Sequence, residues 1–131
     1  MQKEILIGAH PEDVWSAIRD VGALHTRLVP GHVADTVMEG ETRIVRFADG
    51  SVVREPILSV DDERFRLAWA ARSPRLEHYN AVLQVFEAPE GACRVVWTSD
   101  LLPHALAGPV GAVQDRALAC MKRTLERVPA N

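Results

Sequence analysis

Apolar residues recur at three- and four-residue steps through Val110, Val113, Ala117, Met121, Leu125 and Val128, and Leu118 widens the stripe. That spacing is one face of an α-helix. Gln114, Asp115, Lys122, Arg123 and Glu126 fall mostly on the other side, which places Lys122 in water. The pattern predicts a helix from Val110 to Val128, about 28 Å long and able to cross a small domain. Upstream the period shortens to two. Phe65 to Trp69 and Tyr79 to Val85 alternate cleanly, with Tyr79, Ala81, Leu83 and Val85 on one face. Further short β-prone runs cover Lys3 to Ile7, His32 to Met38, Thr42 to Phe47, Ser51 to Leu58 and Cys93 to Asp100. Between the first two runs, Pro11-Glu12-Asp13 opens a short helix that Asp20-Val21-Gly22 breaks, and Ala23 to Leu28 reads as a second.

The order is strand, two short helices, six strands, long helix. Consecutive strands joined by tight turns pair antiparallel. Asp49-Gly50 is the strongest hairpin signal, and Pro56 marks a strand end, an edge or a bulge. A twisted sheet of seven strands curls, and its concave side needs a cover. Only the long helix is large enough.

Composition narrows the function classes. A chain of 131 residues with 47% hydrophobic residues is expected to form one domain, 1–131, that buries roughly two-thirds of its unfolded surface. A formal net charge of -3 carries no electrostatic footprint for nucleic acid. Without a signal-like leader or an apolar run of membrane length, the expected location is cytoplasmic with no membrane span. Cys93 and Cys120 read as buried, reduced thiols. His10, His25, His32, His78 and His104 show neither helical i, i+4 pairing nor a His-x-His strand pair, so no metal is expected. Phosphate-loop, dinucleotide and Gly-x-Ser-x-Gly patterns are absent, and no cofactor is expected.

Ala9-His10-Pro11-Glu12-Asp13-Val14-Trp15 resembles the opening of the START-like (SRPBCC) superfamily, and Arg43, Asp49-Gly50 and Glu55 resemble its central hairpin. Tyr79-Asn80-Ala81, Val95-Val96-Trp97 and Leu102-Pro103 are similar to later strands of its polyketide cyclase/dehydratase branch. His10 stands where a Ser or Thr cap is usual in that family, and Leu28 where many members carry tryptophan. The resemblance covers essentially the whole chain. It implies an α+β helix-grip fold, a curved seven-stranded antiparallel sheet around the C-terminal helix, with a cavity for lipids, hormones or polyketides. A minority of that family catalyses cyclisation or dehydration.

Arg43 and Glu55 are the most informative polar residues. A three-residue loop at 48–50 would set Arg43 opposite Glu55 and turn both inward with Val45 and Val53. A two-residue loop would pair Val45 with Arg54 and send Glu55 outward. An exposed pair is worth under about 1 kcal/mol, whereas an inward guanidinium could orient a polar ligand group. Trp69, Tyr79 and Trp97 each join a large apolar body to one polar handle, which suits either core or pocket wall. Small residues at Gly108, Pro109 and Gly111 could leave an opening beside the helix. The expected contacts to a small hydrophobic molecule are Arg43, Glu55, Trp69, Tyr79, Trp97, Val113 and Ala117, with His25 at the mouth as a titrating group. The alternatives are a cyclase- or dehydratase-type enzyme, with Arg43 on a developing enolate and Tyr79 or His25 moving protons, and a protein-interaction module. A homodimer is left open.

Overall fold

A computed structural model describes residues 1–127. The strands are β1 (Gln2–Ile7), β2 (Val33–Glu39), β3 (Thr42–Phe47), β4 (Val52–Asp61), β5 (Arg66–Ala70), β6 (His78–Glu87) and β7 (Cys93–Leu102). The helices are α1 (Pro11–Arg19) and α2 (Ala107–Glu126). One antiparallel sheet runs in the order β1-β7-β6-β5-β4-β3-β2 and curls into a half-barrel around α2. The expected helix-grip architecture is therefore the one present.

The differences lie mostly at element ends. The helix begins three residues before Val110, and Val128 lies outside the described residues. The second short helix is not an α-helix: Val21–Ala23 makes a 3-10 turn and Leu24–Leu28 one π turn. Gly22 and the absence of a side-chain cap leave no regular helix start there. Several strands outrun their predicted ends because hairpin partners extend pairing into polar residues. β4 continues to Asp61 against Arg66, for example. Pro56 precedes a register shift between Ile57 and Ser59 in the β4–β5 ladder. Arg54 and Arg72 exchange backbone bonds across that side, so alternation turns the Pro56 nitrogen the same way, toward β5, and the bond it cannot donate falls at the end of the β4–β5 ladder just before the bulge.

Three polar ties hold α2 to β1. Lys122 Nζ donates to Leu6 O at 2.8 Å, the Gly8 N–H donates to Glu126 at 2.7 Å, and Lys3 pairs with Asp115 at 2.9 Å. Lys122 is thus half-buried and tied to the sheet, contrary to the water-facing expectation. Gly111 sits where β1 comes closest: an added Cβ would lie 3.3 Å from Met1 Sδ. Small volume at Gly111 admits the Met1 and Lys3 side chains, whereas Gly108 has open space around it, where an added Cβ would meet nothing within 4 Å. The inner face of α2 buries Ala117, Leu118, Cys120, Met121 and Leu125 against Ile7, Val95 and their neighbours. Among the described residues no helix is long and apolar enough to cross a membrane.

Met121 is 1% exposed, so Met121→Ala is expected to cost about 2–5 kcal/mol by urea denaturation. Arg123→Ala, two residues along and exposed, should shift stability by less than about 0.5 kcal/mol. Equal effects would place the buried face of α2 elsewhere.

Candidate functional site

Pinned to β1, α2 leaves space above the middle of the sheet. A cavity of about 460 Å³ lies between its inner face and strands β3 to β7, within the size range of small-molecule sites. Leu67, Leu83, Val113, Ala117 and Met121 supply apolar wall, and His32, Asp49, Arg75 and Arg116 form the polar rim.

The hairpin register decides what reaches the interior. Phe47 donates its N–H to Ser51 O and Gly50 to Phe47 O, closing a three-residue loop over 48–50. Gly50 takes φ +89°, the left-handed conformation this turn requires. Arg43 therefore faces Glu55, and Val45 faces Val53. The inward alternative holds: Arg43 is 3% exposed and Glu55 8%. Arg43 Nε donates to Glu55 Oε1 at 2.6 Å, and the guanidinium carbon lies 5.3 Å from the Trp69 ring centroid. No other hydrogen bond from the Arg43 guanidinium to protein occurs among the described residues, so its two Nη groups and Glu55 Oε2 keep bonding capacity on the cavity wall.

A second polar cluster is built from α2. Gln114 is 2% exposed, and its Nε2 donates to Tyr79 Oη at 2.9 Å and Ser99 Oγ at 3.0 Å. Its Oε1 is buried without a partner, as is the indole Nε1 of Trp97. Trp97 and Trp69 pack with ring centroids 5.6 Å apart. Burial pushes the Tyr79 hydroxyl above the usual phenol range; the hydrogen bond from Gln114 opposes this, and the Glu55 charge adds to it. The result is a neutral phenol. At the rim, burial holds the His32 imidazole below its ordinary range, the Arg116 charge adds to this, and Asp49 opposes it.

Arg43, Glu55, Trp69, Tyr79, Trp97, Val113 and Ala117 all line this one cavity. His25 does not line it. The π turn points its Nε2 toward Asp35, 3.9 Å away, and His32 occupies the rim instead. Gln114 is the residue whose expected position was reversed. Its polarity argued for the outer face, yet it lies four residues after Val110 and three before Ala117, on the inner stripe. Among the described residues no three His, Cys, Asp or Glu side chains cluster as a metal site would need.

A half-barrel sheet gripping a C-terminal helix over a cavity defines the START-like helix-grip fold. The chain belongs to the polyketide cyclase / dehydrase and lipid transport family, whose model matches residues 1–130. No curated protein matches its sequence. Among solved structures it resembles the protein XoxI from Bacillus cereus, at TM-score 0.87 and 17% identity over 100% of this chain and 98% of the other. A START superfamily protein from Mycobacterium smegmatis matches at 0.78 and 8%, over 98% of both chains. Norcoclaurine synthase from Thalictrum flavum matches at 0.73 and 16%, over 98% of this chain and 84% of the enzyme. At these identities the likeness is one of fold.

Removing one partner of a buried ion pair strands the other charge, which typically costs about 3–5 kcal/mol. Arg43→Met is expected to destabilise by that amount, and Arg43→Met/Glu55→Leu to recover most of it. Urea titrations of the singles and the double check this. Additive losses would show that the two charges are independently solvated.

Proposed function

We propose that this protein binds one small hydrophobic or amphipathic molecule, lipid- or polyketide-like, in the cavity between the sheet and α2. The observation that carries the reading is the pairing of an apolar cavity of about 460 Å³ with the unpaired Arg43 Nη groups and Glu55 Oε2 on its wall. A buried donor or acceptor without a partner costs about 1–3 kcal/mol, and a ligand that supplies the partner recovers it. Arg43, Glu55, Trp69, Tyr79, Trp97, Val113, Ala117 and Gln114 are the proposed contacts. The family description, which joins cyclases and lipid transport, supports a ligand of this class. Free, buried Cys93 and Cys120 support a reducing compartment such as the cytoplasm as the protein's setting.

The enzyme reading would use Arg43 over an enolate and Tyr79 as a proton donor. Burial raises the Tyr79 pKa, which favours donating a hydrogen bond over releasing a proton. His25, the other proposed proton carrier, is outside the cavity. These observations favour binding over turnover.

N-phenyl-1-naphthylamine, an uncharged apolar dye, is expected to bind one-to-one and quench tryptophan fluorescence through Trp69 and Trp97. Val113→Trp, which projects a large side chain into the cavity, should reduce dye affinity tenfold or more while leaving the folded circular dichroism spectrum intact. A folded protein that neither binds the dye nor changes its fluorescence would remove the binding reading.

A further inference from the structure

The polar wall has a charge balance that restricts what its ligand can be. Arg43 and Glu55 face each other 2.6 Å apart, both at least nine-tenths buried. The guanidinium is therefore already neutralised inside the protein. What remains uncommitted is mixed in hydrogen-bonding sense. The Arg43 Nη groups remain as donors and Glu55 Oε2 as an acceptor, side by side on the cavity wall. A carboxylate brought to Arg43 would place a second negative charge beside Glu55 in a low-dielectric pocket, and its Coulomb attraction to one guanidinium would be shared between two anions. An ammonium would meet Arg43 in the same way. A neutral group that both donates and accepts can satisfy the wall without adding charge.

Resting on the binding reading above, we infer that the cavity selects an uncharged amphiphile whose polar end carries a carbonyl-type acceptor together with an N–H or O–H donor, and discriminates against carboxylates of the same shape. In this pose the acceptor takes hydrogen bonds from the Arg43 Nη groups, and the donor meets Glu55 Oε2. Apolar bulk fills the space under Val113, Ala117 and Met121. The exposed charges at the rim, Asp49, Arg75 and Arg116, stay solvated away from the polar end. Arg43 and Phe47 are four strand residues apart, so the inner site lies about 13 Å along β3 from the hairpin tip. That separation keeps the rim arginines from compensating an anion bound at Glu55.

The test is competition against the bound dye with three rigid probes of one shape: naphthalene-2-carboxamide, 2-naphthoate and naphthalene, at pH 8. The amide is expected to bind at least tenfold tighter than either other probe. Glu55→Gln keeps an acceptor for Arg43 but removes the negative charge. It should improve 2-naphthoate at least tenfold and leave naphthalene unchanged. Arg43→Met/Glu55→Leu, which removes the polar wall while keeping apolar bulk, should weaken the amide about tenfold and spare naphthalene. If Glu55→Gln does not fold, the wild-type order of the three probes and the double variant decide the matter. Naphthoate binding as tightly as the amide in the wild type, or no loss of amide in the double variant, would overturn the inference while leaving the cavity reading standing. Failure of all three probes and of the dye would overturn the cavity reading itself, and this inference with it.

Discussion

A single helix has to cover a concave sheet wider than itself. Seven strands span about 29 Å across six strand spacings, whereas a helix with its side chains is about 10–12 Å thick. Complete coverage is out of reach, and where the gap falls depends on where the helix is held. Here Lys122, Glu126 and Asp115 fasten α2 to β1 and its exit at Gly8. The uncovered width consequently falls over the middle strands, β3 to β7, as one internal space. The cavity follows from the fold's proportions and from three side chains that fix the helix to one edge.

That space is lined for a purpose that plain packing would not need. Close-packed interiors satisfy their buried polar groups, yet this one keeps an ion pair with bonding capacity to spare. Replacing such groups by apolar residues of similar volume is often neutral or stabilising. Their presence therefore contributes little to holding the fold together and fits a wall that waits for a partner. The strand pleat and the three-residue turn deliver Arg43 and Glu55 to that wall together, because alternation sends every second residue of β3 and β4 inward. The helix delivers Gln114 from the opposite side, where it orients Tyr79 and Ser99.

Most of the architecture was legible from hydrophobic period alone, since the change from period two to period 3.6 separates the strands from α2. The register of the β3–β4 hairpin was not. Asp49-Gly50 serves both a two-residue and a three-residue loop, and only the left-handed φ of Gly50 as the third loop residue settles it. Gln114 was missed because a polar residue was weighed by its chemistry when its spacing already put it on the inner stripe. His25 was misplaced for a different reason. A regular helix over Ala23 to Leu28 would have aimed it at the cavity mouth, but the π turn rotates it toward Asp35. Strand ends were underestimated wherever the partner strand, which no local pattern reveals, carries pairing into charged residues such as Asp61.

The three tryptophans are placed so that one measurement reads the central claim directly. Trp97 and Trp69 line the cavity, whereas Trp15 donates its indole N–H to Asp62 at 2.9 Å beneath α1 and is not part of the wall. In a ¹H–¹⁵N spectrum the protein presents one indole cross-peak for each. Titration with naphthalene-2-carboxamide should shift the Trp97 and Trp69 indole resonances through the ring currents of the bound probe and leave Trp15 in place. A Trp97 resonance that stays put while the probe binds, or a change centred on Trp15, would mean that the ligand sits elsewhere and that the cavity under α2 is not the binding site.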